Sequence, residues 1–558
     1  MRKSEYAWQQ SGKAKIDSEG KEALMVQNIT VAEALIKFLS LNGLNTIFGV
    51  LGDAVFPFFD ALGKQTEIKY YGAAHESSAA FMASYHAKLT GKAGVCVATS
   101  GPGCANLING LADAYFDQAP VLVITGQVQT QKLGTNAKQY INQQALMQAV
   151  SKSSELVTNA DSVIPVAARA LAKAVSEQTV THVSIPVDLF TQRISDPKFP
   201  EIAAKNTAQW GSGYAAGLED AVALIQSSRK ILMMVGKGKP EWRKTFFDLA
   251  VKLNAGIILA QQAKGLLPDN HPNVIGGIGE AYAPTLLQEA DCILLFGNAS
   301  FEKRFLPAQA KIIQIADTQE SIDYSIMTKG IVGDLRQIIK VLIERVDPDR
   351  NQNWLNKIEC EKQNLDNLIR NQELNNTTPI HPAHLMTILH RVVPGDSVII
   401  CDVGGFMHWF DTYFRAQNHT VLLSSHWRSM GGGLPGAISA CISQVDKKVI
   451  ALVGDGGLMM SLGEVATAVK YQLPVCIVIA NNHQYNLEKS KMEAQGLLPF
   501  GHDPAVPDFA VLARAFGCEG RVVSKADQLA SALTEALGSS KPFVVDVHLN
   551  NATLPFLS

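Results

Sequence analysis

Short apolar runs at residues 46–50, 94–99, 121–125 and 182–186 alternate with stretches whose apolar residues recur at helical spacing. Parallel strands need a crossover long enough to hold a helix, so this alternation predicts a parallel sheet with helices on both faces. It restarts at 230–235 and runs through 292–297 and 311–315, then restarts again at 398–401, 448–453 and 543–547. The pattern therefore predicts an α/β protein of three consecutive doubly wound parallel-sheet domains, at residues 28–195, 205–346 and 379–550. Ser195-Asp196-Pro197-Lys198-Phe199-Pro200 ends the first block. Residues 347–378, rich in charge and amides, read as a mostly helical linker, and residues 1–27 as a flexible N-terminal tail. Thr30, with Glu33 three positions on, predicts a capping box at the first helix.

A chain of 558 residues is too long for one core. Its 49 Lys and Arg against 51 Asp and Glu create no global field toward nucleic acid or anionic lipid, so neither is an expected partner. No apolar run approaches the roughly 18 residues of a spanning helix, and residues 1–27 carry no apolar core with a cleavage site. Eight cysteines stand without a C-x-x-C pair, which argues against zinc and a disulfide framework and for a cytoplasmic protein.

Chemistry concentrates at Gly454-Asp455-Gly456-Gly457, placed between an apolar run and a helical pattern, with Asn481-Asn482 closing the next apolar run. Glycines let a backbone turn approach a phosphate. A carboxylate and an amide oxygen from neighbouring strand ends are hard ligands suited to Mg²⁺, and the 27 residues from Asp455 to Asn482 fit one βαβ crossover.

This compound pattern resembles the thiamine-diphosphate (ThDP) enzymes of the acetolactate synthase, pyruvate oxidase and pyruvate decarboxylase type, over about residues 28 to 550. The resemblance implies a pyrimidine-binding, a central and a diphosphate-binding domain in that order. It assigns Mg²⁺ to Asp455, the Asn482 side chain and the Gln484 carbonyl, with Gly454, Gly456, Gly457 and Tyr485 around the cofactor. Ala74-His75-Glu76-Ser77-Ser78 and Thr99-Ser100-Gly101-Pro102-Gly103 look like the family's signature for the glutamate that shares a proton with the cofactor's aminopyrimidine, which assigns that role to Glu76. Ser425-His426-Trp427-Arg428-Ser429-Met430-Gly431-Gly432-Gly433 resembles the segment whose bulky apolar residue, here Met430, bends the cofactor, with Arg428 beside it. Asp402-Val403-Gly404-Gly405 matches the diphosphate-side loop in part, with Gly404 and Gly405 as backbone contacts.

The chain also departs from its relatives. Ile315-Ala316-Asp317-Thr318 lacks the paired acids of flavin-binding relatives, and Gln148 stands where an arginine commonly precedes Lys152, which together argue against FAD and hence against a pyruvate oxidase. The paired histidine of the decarboxylases is missing at Gly101-Pro102-Gly103-Cys104. Yet Asn481-Asn482-His483-Gln484-Tyr485-Asn486-Leu487-Glu488 resembles their segment, with Glu488 in the position of a catalytic acid and Asp53 in a similar Gly-Asp turn. Leu487 and Met492 are expected to desolvate Glu488 and raise its pKa; the bland alternative is a surface helix residue paired with Lys491. Ile141-Asn142-Gln143 replaces the phenylalanine-glutamine-glutamate string of acetolactate synthases and leaves Gln143 as the substrate-side amide.

The expected activity is decarboxylation of a 2-oxo acid such as pyruvate with acyl transfer to an aldehyde or 2-oxo acid acceptor, by a homodimer or homotetramer with active sites between subunits. The alternatives are a non-oxidative decarboxylase and a non-catalytic relative, the latter disfavoured by intact Glu76, Asp455 and Asn482. No G-x-S-x-G elbow or P-loop supports a serine hydrolase or a kinase.

Overall fold

A computed structural model of the chain describes residues 28–202, 213–280, 282–348, 351–444, 446–552 and 554. The expected tail, residues 1–27, lies outside the described residues. Two compact units divide the chain after residue 205.

The first unit is built on a six-stranded parallel sheet. Its spatial order is Lys69–Gly72, Thr46–Gly49, Gly94–Ala98, Val121–Gln127, Val180–Pro186 and Ser153–Leu156. The central strand Val121–Gln127 is buried throughout, as a strand covered by helices on both faces must be. A short antiparallel pair, Asn28–Thr30 with Arg193–Ser195, brings the two ends of the unit together. The helix Val31–Leu41 carries the expected capping box: Thr30 N–H donates to Glu33 Oε2 at 2.8 Å, and Glu33 N–H to Thr30 Oγ1 at 3.2 Å. The two outermost strands, Lys69–Gly72 and Ser153–Leu156, have no counterpart among the apolar runs. An edge strand pairs on one side only and tolerates the polar, half-exposed residues found there.

The second unit holds two more six-stranded parallel sheets. The first runs Val274–Ile278, Gly256–Ala260, Ile231–Val235, Cys292–Phe296, Lys311–Ala316, Lys329–Val332. The other runs Thr420–Leu423, Val398–Cys401, Val449–Gly454, Val475–Asn481, Phe543–His548, Glu519–Val523, which repeats the strand order of the first unit's sheet. The α/β architecture with three doubly wound sheets is thus the one the alternation predicts.

The segment at 347–378, expected to be mostly helical, is a helix over Gln352–Glu373 that packs against the sheet before it. Trp354, 1 % exposed, sits in the core beneath the first of these sheets and donates from Nε1 to the Ile231 carbonyl at 3.1 Å. Ile358 is buried beside it. The helix's apolar positions form only a narrow stripe among charges and amides, which is why the sequence reads as a linker.

In the last sheet, the chain leaves Val398–Cys401 in one direction and returns to Val449–Gly454 on the other side. That reversal opens a crevice at the carboxyl ends of the two strands, where ligands bind in open α/β sheets. Asp402 and Asp455 follow these ends directly.

Candidate active site

A cleft of about 300 Å³ lies at this reversal, and it gathers residues far apart in sequence. Gly404, Gly405, Arg428, Met430, Gly454, Asp455, Gly456, Gly457, Asn482, Gln484, Tyr485 and Glu488 all line it. Gly405 begins the helix Gly405–Tyr413 and Asp455 the helix Asp455–Met460, so both offer first-turn N–H groups to the cleft. Close packing explains two of the glycines. A Cβ at Gly456 would lie 2.3 Å from the Tyr485 ring, and one at Gly457 would lie 2.5 Å from Asp402 Oδ2.

Asp455 is 3 % exposed; its Oδ1 accepts from the Gly456 N–H at 2.9 Å, while Oδ2 is buried with no partner among the described residues. Burial pushes its carboxyl above the ordinary carboxylate range, opposed by the N–H groups of Gly456 and His483. A buried carboxylate oxygen without a donor is costly, and a dication at that oxygen supplies what it lacks. Neighbouring Asn481 is not free for such a role, because its Nδ2 donates to Asp546 Oδ1 at 2.8 Å inside the core. Asn482, one residue on, lines the cleft. These donors are oxygens and fit Mg²⁺.

Asp402 has a structural importance that its motif did not reveal. Its Oδ2 accepts from the Gly431 N–H at 3.0 Å, tying the Met430 loop to the end of Val398–Cys401. Burial pushes its carboxyl up to about 6, against the N–H groups of Val403, Gly431, Gly433 and Gly432. Gly431 takes φ +89°, a conformation that glycine adopts without strain. Gln261 and Glu280, from the neighbouring sheet's loops, were equally hidden: Arg428 Nη2 donates to Gln261 Oε1 at 2.6 Å and Nη1 pairs with Glu280 at 3.3 Å. Lys491 also pairs with Glu280, at 3.4 Å. Burial works against this carboxyl, but the two cations hold it below the ordinary range. No local motif marks these contacts.

Glu488 requires a correction. Leu487 turns into the core at 8 % exposure, but the Glu488 side chain is 66 % exposed at the cleft's edge and lies 3.7 Å from Lys491. The expected desolvation is absent because Glu488 sits on the outer side of the helix Asn486–Ala494.

Glu76 and Gln143 belong to the first unit. Glu76 opens the helix Glu76–Thr90, half-buried, and its Oε2 accepts from Asn106 Nδ2 at 3.0 Å. Thr99 Oγ1 donates to Asp53 Oδ1 at 3.2 Å, and a Cβ at Gly103 would meet both Thr99 and Glu76, so these motifs converge at the sheet's carboxyl edge. Gln143, expected as a substrate-side amide, is sealed inside the first unit. It is fully buried, its Oε1 accepts from Thr125 Oγ1 at 2.5 Å and Ser184 Oγ at 2.9 Å, and its Nε2 donates to the Gly126 carbonyl at 3.0 Å. The amide holds two strands together. Gln143→Ala is expected to cost about 2–4 kcal/mol of stability, since it removes three buried hydrogen bonds, and to leave ThDP affinity unchanged. Urea unfolding checks this; normal stability with lost turnover would return Gln143 to the substrate.

Three family models match the chain in order: the thiamine pyrophosphate enzyme N-terminal TPP binding domain at residues 29–146, the central domain at 218–342 and the C-terminal TPP binding domain at 402–547. YdaP of Bacillus subtilis (strain 168), provisionally named a thiamine pyrophosphate-containing protein, is 31 % identical over 94 % of this chain and 92 % of its own length. The chain belongs to the thiamine pyrophosphate enzyme family. Among other family members, the large subunit of acetolactate synthase isozyme 1 from Escherichia coli (strain K12) is 29 % identical over 94 % of each chain. The large subunit of acetolactate synthase from Corynebacterium glutamicum is 27 % identical over 97 % of this chain and 90 % of its own. Among the described residues, no helix is long and apolar enough to cross a membrane.

Proposed function

We propose that this family member is a ThDP- and Mg²⁺-dependent carboligase. It decarboxylates a pyruvate-like 2-oxo acid and transfers the remaining acyl group to an aldehyde or a second 2-oxo acid. The unpartnered Oδ2 of buried Asp455, in a glycine-lined cleft with Asn482, is the observation that carries the cofactor assignment. The acetolactate synthase relatives support the reaction class. ThDP supplies a nucleophilic carbon that also stores the electron pair released by decarboxylation. Asp455, Asn482 and the Gln484 carbonyl would hold the metal, which would supply positive charge to the diphosphate. Gly404 and Gly405 give backbone contacts, Met430 supports the rings, and Glu76 holds a proton at the aminopyrimidine. The working assembly is a homodimer or homotetramer, with Glu76 of one copy serving the diphosphate-side cleft of another.

The test is a screen of 2-oxo acids, with and without an added carbonyl acceptor, read by mass spectrometry. Carboligation predicts a product joining donor and acceptor carbons. Free aldehyde alone, unaffected by the acceptor, would overturn it in favour of simple decarboxylation, the reading that Glu488 at the cleft favours. On either reading Glu488 moves a proton at the cleft's edge. Glu488→Gln is expected to slow turnover at least ~100-fold with ThDP affinity unchanged; a loss below about threefold would reduce Glu488 to a surface charge.

We further propose that no FAD binds. Asp317 is engaged by Lys237 at 2.9 Å and Thr318 by Ser321 at 3.0 Å, at the strand end where flavin-binding relatives present acids. The purified protein is expected to be colourless; absorbance near ~450 nm from a bound flavin would show the opposite.

A further inference from the structure

The second unit holds another cavity, of about 360 Å³, walled by residues of the edge strand Val274–Ile278, the Gln352–Glu373 helix and the C-terminal half of the Gly405–Tyr413 helix. Val274, Ile275, Ala283, Pro284, Leu365 and Leu368 make most of it aliphatic. Asp411 lies on its wall, 4 % exposed, and its Oδ2 has no hydrogen-bond partner among the described residues. The carboxyl presses against the strand: a Cβ at Gly277 would lie 2.3 Å from Oδ2.

The charges around Asp411 are matched without it. Lys264 Nζ pairs with Asp269 at 2.7 Å and donates to the Asp411 backbone carbonyl, not to its carboxyl. Arg415 and Lys362 both reach Asp366, and Glu361 accepts from the Thr285 N–H at 2.8 Å. Asp411 is therefore the carboxyl of this cluster whose Oδ2 is left without a hydrogen-bond donor among the described residues. Burial pushes it up to about 7, with Lys264 and, more weakly, Arg428 opposing and Asp269 adding to the rise. A roomy cavity with an apolar wall and a few placed polar groups is how small-molecule sites are built, and a buried acceptor lacking a donor is the atom such a ligand satisfies.

We propose that this cavity binds a small ligand with an apolar body and a cationic nitrogen group that donates to Asp411, at a site separate from the cofactor cleft. The apolar body lies along Leu365 and Leu368, and the N–H fork reaches the carboxyl. Asp411 and Gly405 share one helix, so this site and the cofactor cleft stand at opposite ends of the same rigid element.

Benzamidine, an apolar ring bearing an N–H fork, is the probe. Full-length protein saturated with ThDP and Mg²⁺ is titrated with it by ligand-observed NMR. Saturable binding is expected, weakened at least about tenfold by Asp411→Asn and by replacing the probe with neutral benzamide, because a charge-assisted hydrogen bond is lost. Leu368→Trp, which fills the apolar wall and leaves Asp411 in place, is expected to weaken binding similarly, and it keeps the test decisive if Asp411→Asn fails to fold. Absence of saturable binding, displacement of benzamidine by ThDP and Mg²⁺, or unchanged affinity in the folded variants would overturn the proposal.

Discussion

Asn482→Ala is expected to lose ThDP, with the apparent affinity in the presence of Mg²⁺ falling at least ~100-fold, beyond the usual effect of removing a group that only supports a metal ligand. Asp455 is held rigidly by the first turn of its helix, with Oδ2 left buried and unpartnered. One carboxylate oxygen does not fix a Mg²⁺ ion, which demands a near-octahedral set of oxygens. Asn482 lines the same cleft as Asp455, whereas Asn481 is committed to Asp546. Removing Asn482 would leave only Asp455 and the Gln484 carbonyl of the proposed protein ligands to the metal. Calorimetric titration of the variant with Mg²⁺ and ThDP checks this, together with a thermal melt to show that the fold persists. Wild-type affinity would refute the metal assignment of Asn482.

Glu76→Gln is expected to act on a different step. The amide is isosteric and can still accept from Asn106, so the fold and ThDP affinity are expected to survive. What is lost is a group able to hold and return a proton at the aminopyrimidine, worth ~10³-fold for a well-placed acid–base residue. Exchange of the cofactor's C2 proton, followed by quenched-flow NMR, reads that step apart from substrate binding and product release. A wild-type exchange rate in the variant would remove Glu76 from the chemistry. Failure of this prediction with success of the first would leave a metal and diphosphate site without its proton carrier, as in a non-catalytic relative.

The period of the apolar residues determined the sheets. Strands such as Val121–Gln127 and Val475–Asn481 are buried on both faces, so all but their last positions are apolar or small, and the run is visible without any knowledge of its neighbours. The motifs at 404–405, 428–430, 454–457 and 482–488 were legible for a related reason: close backbone approach demands glycine, and metal or proton chemistry demands a few residue types. That these four segments line one cleft is decided only by the strand order, which places 401 beside 452 and 454 beside 480. Tertiary structure also decided what each polar side chain faces. Gln143 and Glu488 had equally suggestive local sequences, yet one is sealed between strands and the other stands in solvent. Gln261, Glu280 and Asp411 carried no local signal, and the motif at 402–405 did not reveal what Asp402 does, because their significance lies in partners or cavities contributed by distant segments. Spacing along the chain reports which face of a strand or helix a residue occupies; what packs against that face is a long-range property, and the environment of a buried polar group is set there.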